Sequence, residues 1–256
     1  MLLTVLGCSG SVPGPASPAS GYLLRAGTTT VVLDLGNGTF GALQRYVNPF
    51  DLDALILSHL HADHCSDVSA LTVYRRYHPQ RPPGPGLALY GPSALAERLA
   101  AAYATNAAER AVTDLSDVYD FQPFSYPFPG PIKIGDLDVR AALVDHPCEA
   151  YAVRVSHAGT VLVYTGDTGP CPSLVELTSG ADVLLAEASW PDRASNPPGI
   201  HLSGCDAGEV AAAAGVGRLL ITHVPPWIDA EQMRAEACAV FEGHVELVRA
   251  GADYEI

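Results

Sequence analysis

The stretch SHLHADH, residues 58–64, is the most informative part of this chain. It follows a short apolar run directly and places three imidazoles and one carboxylate within six consecutive positions. Because strand side chains repeat every two residues, His59 and His61 are expected to point the same way, while Asp63 and His64 begin the next helix and face an adjacent point. Histidine and aspartate at this spacing predict ligands for two metal ions.

Three more candidate ligands follow later β-rich runs. His146 comes after Leu137–Val144, Asp167 lies in a glycine turn after Thr160–Tyr164, and His223 comes after Arg218–Ile221. Open α/β sheets place their binding sites just past the carboxyl ends of strands, so these side chains are expected to meet at one edge. The predicted metal ligands are therefore His59, His61, Asp63, His64, His146, Asp167 and His223.

The rest of the chain reads as alternating short elements. About eleven β-rich runs and six helix-like stretches alternate along the sequence, which predicts a layered α/β fold. Ser93 and Ser203 are positioned to cap helices. The segments Pro79–Pro85 and Phe121–Pro131 are expected to be surface excursions too short to be linkers. Because the ligands are spread from His59 to His223, residues 1–256 are expected to form one domain.

Composition narrows the class of protein. The chain has 256 residues, of which 48% are hydrophobic and 16% charged, so it buries enough apolar surface to fold. No apolar run approaches the ~20 residues that a membrane span needs. The six cysteines contain no C-x-x-C pair and no zinc-ribbon spacing. We therefore expect a protein of the reducing cytoplasm, without a membrane partner.

Charge argues against a long nucleic acid as the substrate. Lys and Arg total 14 against 28 Asp and Glu, a net charge of −14. Proteins that bind long nucleic acids carry clustered basic residues that release phosphate counterions, and no such face is evident here. The helix Asp67–Tyr77 and the aromatic segment Phe121–Phe128 are candidates for a homodimer contact, with burial within the monomer as the alternative for both.

The chain resembles the metallo-β-lactamase-fold superfamily of metallohydrolases. The hallmark of that superfamily is the H-x-H-x-D-H motif, which is present at residues 59–64. The resemblance spans nearly the whole chain and implies a four-layer αββα sandwich with the site on one edge. It also implies a division of the ligands between two ions. His59, His61 and His146 would hold one metal, Asp63, His64 and His223 the second, with Asp167 between them.

Local motifs resemble the phosphodiesterase branch of this superfamily, which contains the tRNA 3′-processing endonuclease. Glu187 ends an apolar run and His201 precedes a helix, where that branch has a glutamate and a histidine that support proton transfer to the leaving oxygen. From the residues alone, a carboxylate can orient an imidazole for acid–base work, whereas a capping or surface histidine is the alternative for His201. The predicted catalytic residues are Asp63, Glu187 and His201.

Within that branch the chain is most similar to the atypical cyclic nucleotide phosphodiesterases, through GCSGS at residues 7–11 and SPASG at residues 17–21. Members that process tRNA carry a long arm between the third ligand motif and the bridging aspartate. Here only 21 positions separate His146 from Asp167, so the arm is absent there. With the acidic charge, this favours a small phosphodiester, and 3′,5′-cyclic AMP in particular.

The imidazole and carboxylate ligands suit zinc, with manganese or iron as the alternatives. The sequence is also compatible with other functions. An arm-less RNA 3′-processing enzyme and a phosphodiesterase acting on ribosyl cyclic phosphates share the same motifs. A thioester or lactam hydrolase would leave Glu187 and His201 unexplained. A non-catalytic metal-binding scaffold is the alternative from a different class.

Overall fold

The computed structural model describes residues 1–256 as two stacked β-sheets with helices on their outer surfaces. The strands are β1 (Leu2–Gly7), β2 (Gly21–Ala26), β3 (Thr29–Leu35), β4 (Ala54–Ile56), β5 (Leu87–Gly91), β6 (Tyr119–Pro123), β7 (Ile132–Ile134), β8 (Leu137–Leu143), β9 (Tyr151–His157), β10 (Thr160–Tyr164), β11 (Val183–Glu187), β12 (Arg218–Thr222), β13 (His244–Leu247) and β14 (Asp253–Glu255). The helices are α1 (Thr39–Leu43), α2 (Ala62–Cys65), α3 (Val68–Tyr77), α4 (Leu95–Tyr103), α5 (Ala107–Arg110), α6 (Pro172–Thr178), α7 (Gly204–Ala214) and α8 (Ala230–Val240), with a 3₁₀ turn at Pro49–Asp51.

Each sheet has seven strands and changes from antiparallel to parallel pairing part-way across. The first sheet runs β14-β1-β2-β3-β4-β5-β6 and is parallel from β3 to β6. The second runs β13-β12-β11-β10-β9-β8-β7 and is parallel from β10 to β13. Parallel strands end at the same edge of a sheet, so the loops that follow them are brought together.

The core explains why these runs form stacked sheets. Leu33 of β3 and Leu185 of β11 belong to the apolar cluster between the sheets, to which both sheets contribute. Their neighbours Val32 and Leu184 point the opposite way and join the clusters that pack against helices. A strand buried on both faces needs apolar residues at successive positions, as these have. The four layers confirm the predicted αββα sandwich.

All of the β-rich runs expected from the sequence are strands, but three strands were missed. These are β6, β7 and β14. The expectation that Phe121–Pro131 is wholly a surface excursion was wrong, because β6 includes Phe121 and Phe124 is buried in the core between the sheets. β6 is an edge strand with one largely exposed face and ends in proline, so it lacks the apolar signal of an interior strand.

The sequence predicted two helix caps, and the structure confirms one of them. Ser203 caps α7, and its hydroxyl and the Asp206 carboxylate form a reciprocal capping box. The expected cap at Ser93 was wrong: α4 begins after Ala94, and the Ser93 hydroxyl donates to Glu149 instead. None of the helices has the length and apolar character needed to cross a bilayer.

The two segments considered for a dimer contact each expose an aromatic side chain. Tyr77 at the end of α3 and Tyr126 in the aromatic segment are 65% and 72% exposed. The homodimer stays a prediction.

Candidate functional site

The site lies where strands of both sheets end. His59 follows β4 of the first sheet, whereas Asp167 and His223 follow β10 and β12 of the second. His223 Nε2 is 3.3 Å from Asp167 Oδ2, and His59 Nε2 is 3.7 Å from the same oxygen. The two sheets therefore deliver their polar residues to one point at the edge of the sandwich, as the sequence predicted.

The SHLHADH stretch changes direction within a few residues, which lets it serve two points. His59 lies in the loop after β4 and is fully buried. His61 has an extended backbone and is the N-cap of the short helix α2, which contains Asp63 and His64. The change from extended to helical backbone turns these two side chains away from His59 and His61 and toward a second cluster.

The first cluster contains His59, His61, His146 and Asp167, whose candidate ligand atoms lie within 4.8 Å of one another. His61 Nδ1 is 3.0 Å from His59 Nε2 and 3.2 Å from His146 Nε2. His61 is exposed and His146 half-buried, so this cluster is the side of the site that faces solvent.

The second cluster contains Asp63, His64, Asp167 and His223, all of them buried. His64 Nε2 lies 3.1 Å from Asp167 Oδ1 and 3.5 Å from Asp63 Oδ2. His223 Nε2 lies 3.7 Å from Asp63 Oδ2. Asp167 belongs to both clusters, so the structure groups the seven residues in the way that the family resemblance implied.

Three atoms in this cluster have no hydrogen-bond partner although they are buried: His64 Nε2, His223 Nε2 and Asp167 Oδ1. An unpaired buried polar atom costs roughly 1–3 kcal/mol, so orphans are rare and call for an explanation. These three converge on one point and have the donor chemistry of a divalent-ion site. The residues therefore fit two divalent ions, and Asp167, which belongs to both clusters, would be shared between them.

The electrostatics of the clusters fit the same interpretation. Burial, together with neighbouring imidazoles, lowers the pKa of His59, and burial also lowers that of His61 and His223. These imidazoles therefore stay neutral with lone pairs available to a metal. Burial opposes a charge on His64 too, but the carboxylates of Asp167 and Asp34 outweigh it and raise its pKa. The His64 imidazole therefore favours its positively charged form.

Asp63 is the carboxylate nearest the open side of the second cluster. It is 8% exposed, the most of the four. Burial alone would raise its pKa, but the adjacent imidazoles of His64 and His223 hold the pKa well below its usual range. Asp63 is consequently an ionised acceptor within the second cluster.

Asp34, in β3, is a functional residue that the sequence analysis did not identify. It is fully buried and accepts four hydrogen bonds of 2.7 Å, from Ser58 N, Ser58 Oγ, His64 Nδ1 and Tyr164 OH. Accepting from Nδ1 leaves His64 Nε2 free to face the ion position. A charged residue within an apolar strand was the available signal, because a buried carboxylate needs partners.

Two other ligands are oriented in the same manner, by hydrogen bonds on the side of the ring that faces away from the clusters. Ser20 Oγ lies 2.7 Å from His223 Nδ1, and the Ile200 carbonyl lies 2.8 Å from His146 Nδ1. Each contact occupies the nitrogen that faces away from the clusters, so Nε2 of each ring faces the clusters.

The backbone around His223 is tightly packed. His223 has a left-handed φ of 54°, a conformation uncommon for residues other than glycine. Gly10 lies against it, and a Cβ built on Gly10 would be 2.2 Å from the His223 carbonyl oxygen. Gly10 is therefore required by close packing against a ligand's main chain.

Glu187 and His201 form a pair beside the two clusters. His201 Nδ1 is 3.0 Å from Glu187 Oε1 and 3.9 Å from Asp167 Oδ2. Glu187 is fully buried at the end of β11, whereas His201 precedes the Ser203 cap of α7 and its side chain is 16% exposed. The His201 Nε2 atom makes no hydrogen bond within the protein, so it is free to face a bound molecule.

Asp167, Glu187 and His201 also satisfy the spacing of a third metal group. The hydrogen bonds of Glu187 argue for an acid–base pair instead. Its Oε1 accepts from Thr168 N at 2.7 Å and its Oε2 accepts from Ser189 Oγ at 2.6 Å. Burial would lower the pKa of His201, but Glu187 outweighs it and raises the pKa to about 9. His201 thus holds a proton at neutral pH.

A two-sheet sandwich carrying this bridged His and Asp site defines a metallo-β-lactamase-fold protein. The Beta-lactamase superfamily domain family matches residues 29–224, and the chain belongs to that family. The fold, the family and the paired ligand clusters identify it as a hydrolase of this superfamily.

Three relatives illustrate its place in the family. An uncharacterized protein of Mycobacterium tuberculosis is 50% identical over 256 residues, covering 99% of this chain and 92% of its own. A ribonuclease Z of Mycolicibacterium paratuberculosis is 32% identical over 270 residues, covering 96% and 94%. The crystal structure of the metallo-beta-lactamase fold protein YhfI of Bacillus subtilis superposes with a TM-score of 0.84, at 28% identity and 99% coverage of both chains.

Proposed function

We propose that the protein is a dinuclear-metal phosphodiesterase that hydrolyses 3′,5′-cyclic nucleotides, cyclic AMP in particular, to nucleoside monophosphates. The observation that carries the proposal is the Glu187–His201 pair, whose nitrogen and oxygen are 3.0 Å apart. An imidazole that holds a proton at the edge of a two-ion site is suited to protonate a leaving alkoxide. A thioester or lactam hydrolase gives this pair no evident task.

Each residue then has a defined part. The two ligand clusters would hold two divalent cations, proposed to be zinc with manganese or iron as alternatives, which would supply Lewis-acid activation of a water molecule and neutralise phosphate charge. Asp63 accepts a hydrogen bond from the attacking water at the open side of the site. His201 Nε2 donates its proton to the departing ribose oxygen, and Glu187 holds the ring in the tautomer and orientation that this requires.

Charge supports a small substrate. The chain carries a net charge of −14, and an acidic surface repels a polyanion while a single phosphodiester is bound locally by the site. The connection from His146 to Asp167 contains only β9 and β10 and their turns, which leaves no room for an RNA-clamping arm at that point.

RNA 3′-end processing is the second candidate function. It is favoured by the 32% identity with a ribonuclease Z that this chain covers to 94% of its length. Both activities break a phosphodiester next to a ribose, so the same nine residues could serve either reaction. The size of the substrate distinguishes the two activities, because an RNA enzyme needs contacts with several successive phosphates.

The test is a hydrolysis panel with purified protein loaded with zinc or manganese. The substrates are 3′,5′-cyclic AMP, a cyclic dinucleotide and a precursor tRNA, with products separated by chromatography. We expect AMP from the first substrate, and we expect His201→Ala to lower kcat by roughly 10²- to 10⁴-fold. His244→Ala is the matched control, because His244 is exposed and lies in β13, the edge strand of the second sheet.

Two outcomes would overturn the cyclic nucleotide proposal. One is the absence of nucleoside monophosphate with either metal. The other is equal activity of the parent and His61→Ala, since His61 belongs to the first ligand cluster. Cleavage of precursor tRNA, with RNA affinity that falls steeply as salt rises, would establish the RNA enzyme instead.

A further inference from the structure

Trp190 lies beside the proposed proton donor. Its ring centroid is 5.1 Å from that of His201, and the two planes meet at 81°. The Trp190 backbone pairs with Ser203, the residue that caps α7. The main chain on both sides of the His201 loop thus fixes where the indole stands.

The indole is not held by a hydrophobic core. Trp190 is half-buried, yet it belongs to none of the three apolar clusters and is not among the partly buried residues that pack against them. It makes no side-chain hydrogen bond and no cation–π contact within the protein. Large aromatic residues are usually buried for the apolar area that they remove from water. A role in core packing therefore does not explain this one.

Its position relative to the metal clusters suggests what it contacts. The His201 ring stands 5.6 Å from the His146 ring and 5.9 Å from the His223 ring. One imidazole therefore separates Trp190 from the ligand clusters. In a nucleotide, one ribose separates the base from the phosphate. A phosphate at the clusters, with its ribose oxygen at His201, places the base beside Trp190.

We propose that Trp190 forms a stacking subsite for the nucleobase of the substrate, an inference that rests on the proposed cyclic nucleotide hydrolysis and specifies its substrate as one carrying an aromatic base. Stacking on an aromatic side chain is tolerant of base identity because every base has a π face. The subsite therefore selects nucleotides over base-free phosphodiesters without discriminating strongly among bases. It supplies apolar affinity that an acidic protein surface cannot provide through charge.

Fluorescence tests base binding without relying on turnover. The chain has two tryptophans, and Trp227 is 65% exposed, so Trp227→Phe removes this exposed indole and leaves Trp190 as the sole one. Metal-loaded Trp227→Phe protein is titrated with AMP and, separately, with ribose 5-phosphate. We expect saturable quenching with AMP and little change with the base-free ligand. Equal responses to the two ligands would overturn the subsite.

Kinetics separate stacking from a purely structural role. We expect Trp190→Leu to raise the KM for cyclic AMP by roughly 5- to 150-fold with a much smaller change in kcat. The aromatic variant Trp190→Phe is expected to keep most of the parental affinity. If Trp190 merely supported His201, kcat would fall and the pH profile would move while KM stayed near the parent value. That result would contradict the proposal.

Failure of this inference and failure of the proposed function give different results. Cyclic AMP hydrolysis with an unchanged KM in Trp190→Leu removes the subsite and leaves the phosphodiesterase intact. AMP-specific quenching without hydrolysis of any cyclic nucleotide removes the proposed reaction and keeps a base-binding site. A folded Trp190→Phe variant with parental KM provides the reference if Trp190→Leu is unstable.

Discussion

Asp34 Oδ2 lies 2.7 Å from His64 Nδ1, and this contact connects the core of the first sheet to the second ligand cluster. The same oxygen accepts from Tyr164 OH, which belongs to β10 of the second sheet. The side chains of Asp34 and Tyr164 are both fully buried. One carboxylate therefore fixes the orientation of a metal ligand and ties the two sheets together beside the site.

Replacing Asp34 by asparagine is expected to weaken metal binding at the second cluster. Asparagine tolerates the left-handed backbone at this position, where φ is 55°, but its amide keeps only one acceptor oxygen, so the change removes the charge and part of the hydrogen-bond acceptance behind His64. Loss of such an outer carboxylate typically lowers metal affinity about 10- to 100-fold. Competition with a coloured chelator measures the affinity of each ion. The control is Asp53→Asn, at a carboxylate that accepts from Thr30 N on the exposed surface. Two ions held at parental affinity in Asp34→Asn would refute this role.

Gly10→Ala is expected to disturb the second cluster although Gly10 carries no ligand. The new Cβ would lie 2.2 Å from the His223 carbonyl oxygen, and backbone atoms on both sides cannot yield cheaply. The ligand must shift, so we expect bound metal to fall from two ions toward one by elemental analysis. Gly41→Ala is the matched control because no atom lies within 4 Å of its Cβ. As Gly41 is in α1, alanine there is expected to stabilise the protein by about 0.5–1 kcal/mol. Full metal content in Gly10→Ala would contradict the packing argument.

Glu187→Gln is expected to move the basic limb of the pH–rate profile to lower pH. Glu187 outweighs burial and raises the pKa of His201 to about 9. His201 therefore holds its proton below that pH, and proton donation is lost as pH rises through about 9. Without the carboxylate, burial lowers the pKa of His201, and activity declines at a lower pH. The profile of kcat/KM for cyclic AMP measures this, with exposed Glu209→Gln as the control. A basic limb that stays in place would exclude His201 as the proton donor.

Removal of metal is expected to lower the melting temperature. His64 Nε2, His223 Nε2 and Asp167 Oδ1 are buried and make no hydrogen bond, and a bound ion would satisfy them. Ions present at 100 to 1,000 times their dissociation constant stabilise the folded state by about 3–4 kcal/mol. For a chain of this size the loss corresponds to roughly 5–15 °C. Calorimetry before and after dialysis against a chelator tests it, and addition of zinc should restore the original transition. An unchanged melting temperature after proven metal loss would show that the clusters do not contribute to stability.

Much of the architecture was predictable because it follows from local patterns. Apolar runs such as Val183–Glu187 are buried on both faces, and a strand of this kind needs apolar residues at nearly every position. Edge strands lack this pattern, which explains why β6 was missed: Tyr119–Pro123 is buried at its first residue and largely exposed after it. The position of the ligands was predictable for a similar reason, since loops after parallel strands share an edge.

The contacts that orient the ligands could not be predicted in the same way. Asp34 and Tyr164 are 130 positions apart, and Ser20 and His223 are 203 apart. No local pattern connects residues at such separations. Trp190 likewise has an ordinary sequence context, and only the fold shows that the core does not use it.

The amino-acid sequence determined the chemical inventory, since three histidines and an aspartate in six positions, followed by His146, Asp167 and His223, specify imidazole and carboxylate donors. The tertiary structure decided how each donor is used. Whether a ring presents Nδ1 or Nε2 depends on which nitrogen meets a hydrogen-bond partner, and for His64 that partner is a carboxylate on another strand. The pairing of β3 with β4 brings Asp34 to His64, whereas Ser20 reaches His223 only when the two sheets pack together. Burial makes an unpaired polar atom costly and so selects one arrangement.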